Sequence, residues 1–321
     1  MPTFNLLEHR SASRTQRPFL ISVLSALCAT ALGAAPANQM GAPIAAVVRD
    51  GAKAALPRPA VAKIAERAGC STLCQAKQPA EKAFKAIADL GFKWVDLSCL
   101  SWAQHASVPA LLADFDQEAA RVEALLATNG LRTANLTYDS FDGRPFDQFE
   151  KEFTVVVKLA VRLKARLINL MAPSNKAERQ DAAAKLKKLQ AIAATNGVLL
   201  TLETHCNQLT EQSANALWLC QQTPGLGLTL DPSHYYAGPN QGRSFDAVYP
   251  LIQGTGFRAG GMSWQEIQMP WGEGPIDFKA VVCKLEAAGY AGFYVAEYIE
   301  GFNKLDALTE SKKFLEWAKG L

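Results

Sequence analysis

The sequence predicts an α/β protein, a (β/α)₈ barrel preceded by a signal peptide, and three observations carry that expectation. Eight short apolar or β-branched runs recur at residues 68–73, 93–97, 132–137, 166–171, 198–202, 226–230, 254–258 and 292–296, with amphipathic helical stretches between them. Four of those stretches stop at Gly91, Asn129-Gly130, Asn196-Gly197 and Gly289, residues that tolerate the left-handed backbone of a helix end. Three of the runs finish on an acid: Val198-Leu-Leu-Thr-Leu-Glu203 before Thr204-His205, Leu226-Gly-Leu-Thr-Leu-Asp231 before Pro-Ser-His234, and Gly292-Phe-Tyr-Val-Ala-Glu297. In a barrel, residues just past the strand ends face the active site, so the three acids are expected to converge on one ion or one substrate. A doubly wound open sheet is the alternative, but no Gly-rich phosphate loop follows the first strand.

In chain order, Arg10, Arg14 and Arg17 precede the unbroken apolar stretch Phe19–Ala35, and small residues follow at Ala34, Ala35 and Ala37. This is the pattern of a cleaved secretory signal, placed at residues 1–35, and it predicts export, to a periplasm in a Gram-negative source. An uncleaved membrane anchor is the alternative, since ~20 apolar residues span a bilayer. The pair required of a twin-arginine signal is missing, and Leu27 before Cys28 does not suit a lipoprotein. Residues 36–65, rich in Ala, Pro and Gly, read as a linker, and 66–321 as the catalytic domain. Helices are expected at 79–90, 117–127, 183–194, 277–288 and 307–319.

The 321 residues carry a formal charge of only +3, and three of the arginines lie in the signal. That is far from the basic field nucleic acid requires, so nucleic acid is excluded as a partner, and no membrane contact is expected once the signal is removed. The cysteines beyond Cys28 form no compact disulfide framework; they read as small buried hydrophobes, with Cys70 and Cys74 as the one pair able to link.

The units Leu90-Gly-Phe-Lys-Trp-Val-Asp-Leu97 and Ala288-Gly-Tyr-Ala-Gly-Phe-Tyr-Val-Ala-Glu297, together with the turn Trp271-Gly-Glu-Gly-Pro-Ile-Asp-Phe278, resemble the xylose isomerase-like TIM barrels. That superfamily includes sugar phosphate isomerases and epimerases, ketose 3-epimerases, dehydratases and endonuclease IV. The resemblance spans residues 66 to 321 and implies a divalent metal held by acids ending strands five, six and eight and a histidine ending strand seven. Glu203, Asp231 and Glu297 match the three acids. If Arg258 keeps its family place, the strand-seven histidine is replaced by Gly256 and the family's aspartate by Ala259. Gln268 and Glu266 stand where endonuclease IV-like relatives place a metal-binding histidine and aspartate, so Gln268 is the expected fourth ligand. Such a set implies Mn²⁺, Mg²⁺, Co²⁺ or Zn²⁺. The chain has only four histidines, which excludes the histidine cluster of an endonuclease IV-like trizinc site.

Among the remaining residues, the resemblance implies that His234 acts on substrate or adds a ligand, and His205 points to the same side as Glu203 if the strand continues. Arg258 and Asn169 are expected to bind substrate oxygens, with Trp102, Tyr138, Asn135 and Trp271 forming walls against which a sugar packs. The expected chemistry is isomerisation or epimerisation of a free sugar or sugar derivative through an enediolate. Glu203 and Glu297 would exchange the proton, with His234 assisting. A lyase or dehydratase acting on an oxidised glycoside or keto-sugar is the first alternative, and a non-catalytic periplasmic sugar-binding protein the second. Nothing resembles a phosphate cradle, and a homo-oligomer is compatible with the sequence.

Overall fold

A computed structural model describes residues 64–241 and 243–321; the expected signal peptide and nearly all of the linker lie outside them. Eight parallel strands follow one another around a barrel: β1 (Ala68–Ser71), β2 (Trp94–Leu100), β4 (Arg132–Tyr138), β5 (Leu167–Leu170), β6 (Leu199–Glu203), β7 (Gly227–Leu230), β8 (Ile252–Thr255) and β9 (Tyr294–Ala296). A two-residue strand, β3 (Ala103–Gln104), folds back antiparallel on β2. Parallel ladders run unbroken from β8 through β7, β6, β5, β4, β2 and β1 to β9. The remaining seam closes differently. Phe257 N–H donates to Val295 O at 2.7 Å, Glu297 N–H donates to Phe257 O at 2.9 Å, and the Thr255 hydroxyl bridges Phe293 O and Val295 N. The barrel is thus nearly closed, with one bridge and one side chain standing in for the last ladder.

The helices are α1 (Ala80–Asp89), α2 (Val108–Ala113), α3 (Phe115–Thr128), α4 (Phe146–Arg162), α5 (Arg179–Thr195), α6 (Ser213–Gln222), α7 (Pro232–Ala237), α8 (Phe278–Ala287) and α9 (Ala307–Lys319). Strand alternation explains the layers. On β6, Leu200 and Leu202 face the helices and are fully buried, while Thr201 and Glu203 face the lumen. The lumen is therefore small and polar: the Thr201 and Thr229 hydroxyls pair at 2.8 Å, and a Cβ on Gly254 would meet Thr229 Oγ1 and Leu167 Cδ2. The turn before α8 shows why its sequence is so particular. Gly272 and Gly274 take φ of +91° and +81°, and Asp277 caps the helix by accepting from Ala280 N at 2.9 Å.

Two expectations need correction. The seventh barrel strand is Ile252–Thr255, two residues ahead of the expected 254–258, because Gly256 to Arg258 leave the ladder to form the seam and the site. Helices α4 and α6 had no place in the sequence reading, although Phe149, Phe153, Val156, Val157 and Ala160 of α4 all lie on one buried face. Cys70 and Cys74 are both buried free thiols, with their sulfurs 3.7 Å apart.

Candidate active site

Asp-Pro-Ser-His at the end of β7 builds the centre of the site in one turn. Asp231 caps α7: its Oδ1 accepts from Ser233 N at 2.8 Å and from Ser233 Oγ at 2.6 Å, while Pro232 supplies the fixed φ of a first helical residue. The turn brings His234 back over the strand ends. Its Nε2 then lies 3.6 Å from Asp231 Oδ2 and 3.7 Å from Glu203 Oε1. Glu203, Asp231 and Glu297, arriving from β6, β7 and the end of β9, each offer a carboxylate oxygen within 4.8 Å of the others. Glu203, His205 and His234 form a second such group sharing Glu203.

Arg258 is the buried cation of the cluster. A guanidinium nitrogen lies 2.8 Å from Asp231 Oδ2, as an ionic contact without the alignment of a hydrogen bond, and Nε donates to Ser233 Oγ at 3.1 Å. The same guanidinium donates to His234 Nε2 at 2.5 Å. That bond assigns the His234 proton to Nδ1, which is buried without a partner. His205 donates from Nδ1 to Cys206 O at 2.6 Å, and its ring stacks on that of His234 with centroids 3.7 Å apart. Burial pushes His205 down to about 4, and burial, His205 and Arg258 push His234 down too, so both imidazoles are neutral at neutral pH.

The carboxylates are shifted the other way. Burial and then Asp231 raise Glu203 to about 7, opposed by Arg258 and by a hydrogen bond from Asn169 Nδ2 at 3.3 Å. Burial and then Glu203 raise Glu297 well above its ordinary value, and burial raises Asp231 against the pull of Arg258. Burial disfavours the charge on Arg258, yet Asp231, Glu297 and Glu203 together hold it above its usual value. With Glu203, Asp231 and Glu297 ionised, one guanidinium leaves two of their three negative charges uncompensated, which a divalent cation would offset. Glu297 takes part in no ion pair or side-chain hydrogen bond among the described residues, so a carboxylate is free to ligate.

The residue replacing the expected histidine has a structural reason. A Cβ added to Gly256 would overlap Glu297 Oε2 and lie 3.1 Å from its Cδ, so the carboxylate occupies the space a larger residue would need. Gln268 has another task than the one expected of it. Its Oε1 accepts from Ile299 N at 2.7 Å and its Nε2 donates to Ile299 O and Asn303 Oδ1, both at 3.2 Å, clamping the loop after β8 to the loop after β9. Tyr138 stacks on Phe149 of α4 and donates to Glu152 at 2.8 Å, so it packs outside the lumen. Trp271 packs on Phe278, Phe314 and Trp317, again away from the cluster. Trp102 is exposed at the tip of the β2–β3 hairpin, on the same barrel end as the site.

Two residues escaped the sequence reading. Asp96 of β2 is buried in the lumen, accepts from Thr137 Oγ1 at 2.8 Å and adds its charge to Glu203 and Glu297. Burial raises it to about 6 against hydrogen bonds from Thr137 and Asn135. Its place inside a strand, not at a strand end, hid it. Trp264, in the loop after β8, stands 6.0 Å from the His234 ring and 6.2 Å from that of His205, centroid to centroid.

Fold and site together define a barrel with a carboxylate-rich mouth, and the chain belongs to the xylose isomerase-like TIM barrel family, whose model matches residues 84–319. No curated protein sequence is similar enough to count as a match. Among solved structures, the chain is similar to the probable 3-DHS dehydratase AsbF of Bacillus anthracis, with TM-score 0.62, 16% identity and coverage of 79% of this chain and 98% of that one. It is also similar to D-psicose 3-epimerase of Clostridium cellulolyticum H10, solved with D-tagatose, with TM-score 0.61, 14% identity and coverage of 79% and 98%. A xylose isomerase-like TIM barrel protein of Mycobacterium smegmatis, in complex with magnesium, gives TM-score 0.63, 17% identity and coverage of 78% and 96%. At these identities the likeness is one of fold.

Proposed function

We propose that this chain is a divalent-metal-dependent enzyme that moves a proton at a carbon beside a carbonyl group of a carbohydrate, as an isomerase or epimerase. The observation that carries the reading is the meeting of Glu203 and Glu297, from non-adjacent elements, within 4.8 Å of each other and of Asp231. Glu203, Asp231 and Glu297 would hold the ion, and their all-oxygen donor set suits Mn²⁺ or Mg²⁺ better than Zn²⁺ or Co²⁺. When bound, the ion would polarise a carbonyl and its neighbouring hydroxyl. Glu203 ends β6 and Glu297 follows β9, so one takes the proton from carbon and the other returns it. His234, neutral and fixed by Arg258, hydrogen-bonds a substrate oxygen, and Asn169 holds Glu203 in orientation.

The absence of an imidazole at Gly256 favours a second reading, a lyase that starts from the same carbanion and expels a β-substituent. One experiment separates the readings: candidate keto-sugars and 3-keto glycosides are incubated with the Mn²⁺-loaded chain in D₂O. Proton NMR showing exchange at the carbon beside the carbonyl without mass loss supports the epimerase. Loss of water or release of an aglycone supports the lyase. Full turnover by Glu203→Gln, with either substrate, would remove the assignment. Export to a periplasm remains part of the proposal and is tested by sequencing the amino terminus of the secreted chain.

A further inference from the structure

We propose that the apolar corner formed by Trp264 and Phe302 at the barrel mouth is a subsite for a flat aromatic group attached to the reacting sugar, which makes aryl glycosides whose sugar carries a keto group the substrate class. The inference rests on the carbohydrate reading of the carboxylate site. Among the described residues, seven large hydrophobic side chains are exposed, and four of them, Trp102, Met262, Trp264 and Phe302, sit on loops that follow barrel strands at the site end. Trp264 is 42% and Phe302 38% exposed, and adjacent exposed aromatics of this kind mark ligand or partner sites more often than isolated ones do. The two rings meet edge to face, with centroids 5.9 Å apart and planes at 83°. A planar ring laid in that corner meets one aromatic face and one aromatic edge, the two geometries such rings favour. Phe302 offers hydroxyls there no polar partner, which favours an apolar ring in the corner. The corner is also held in place. Gln268 ties the Trp264 loop to Ile299 and Asn303 beside Phe302, and Ser263 Oγ donates to Glu266 at 2.9 Å within the loop. Trp264 further touches the His205–His234 pair, so the corner is continuous with the reacting groups.

The test is calorimetric binding of phenyl β-D-glucopyranoside and methyl β-D-glucopyranoside to the full Mn²⁺-loaded chain, with phenol followed by saturation-transfer NMR. Two aromatic contacts predict that the phenyl glycoside binds tighter than the methyl glycoside by roughly tenfold. Trp264→Ala, and independently Phe302→Ala, should abolish that advantage; both residues are exposed, and circular dichroism checks each fold. Equal affinity of the two glycosides would overturn the proposal and leave the carbohydrate reading standing. Binding of phenol alone, lost in Trp264→Ala, with no binding of either glycoside, would keep the corner and remove the carbohydrate reading. No binding by any of the three would remove both. A dimer in sedimentation that Trp264→Ala dissociates would also overturn the proposal, because a second copy would then be what covers the corner.

Discussion

Replacing Gly256 by alanine probes the site with a single methyl group. The added Cβ overlaps Glu297 Oε2 and comes within 3.1 Å of Cδ and 3.6 Å of its Cβ, so the carboxylate must turn away while the backbone stays put. Because the obstructed atom is the far end of a flexible side chain, the fold should lose no more than ~1 kcal/mol, the low end of overpacking costs. The ion site loses more. Glu297 is one of three carboxylates within 4.8 Å, and removing one oxygen ligand from such a set should weaken Mn²⁺ binding about 10- to 100-fold, roughly 1.4 to 2.8 kcal/mol. Calorimetric titration of Mn²⁺ into the purified variant, beside its thermal unfolding, reads the two effects separately. Wild-type Mn²⁺ affinity in Gly256→Ala would refute the argument that Glu297 fills the space over Gly256 in order to ligate.

Other perturbations bear on the same cluster. Glu203→Gln should lose turnover by at least ~10²-fold with substrate binding largely kept, as measured by comparing kcat with KM. Arg258→Met leaves the buried carboxylates without their cation and should lower the stability of the metal-free chain by about 3–5 kcal/mol; Mn²⁺ should restore part of that in thermal unfolding. Asp96 is pushed by burial from 3.8 to about 6. Its burial therefore costs nothing while folded and unfolded chains are both protonated, and the cost grows as pH rises from 3.8 to about 6, levelling off above that at roughly 3 kcal/mol. Asp96→Asn should accordingly leave the melting temperature unchanged well below pH 3.8 and raise it by several degrees above pH 6; no gain at high pH would contradict the assigned burial.

Much of the fold was legible because each barrel strand is short, apolar outside and bounded by helix stops. Gly91, Gly130, Gly197 and Gly289 all take positive φ, which is why glycine punctuates the pattern there. The acids at strand ends were legible for the same reason: a strand that ends Leu-Glu203 or Leu-Asp231 announces a change from helix-facing layer to mouth. Arg258 was legible as a residue but not as a partner, since its contact with Asp231 joins β7 to the segment after β8 across the barrel end. Gln268 was misleading because loop residues carry no periodicity to fix their direction, and its amide serves the neighbouring loop. Tyr138 ends β4 at a position that faces α4, so the alternation that aims Thr137 at Asp96 in the lumen carries Tyr138 away from it.

The central claim, that Glu203, Asp231 and Glu297 form one cation site at the barrel mouth, is tested most directly by titrating Mn²⁺ into the chelator-stripped chain. The account predicts one ion per chain, with a matching rise in melting temperature that Asp231→Asn and Glu297→Gln each diminish. Absence of binding at millimolar Mn²⁺ and Mg²⁺, or binding untouched by both substitutions, would contradict it.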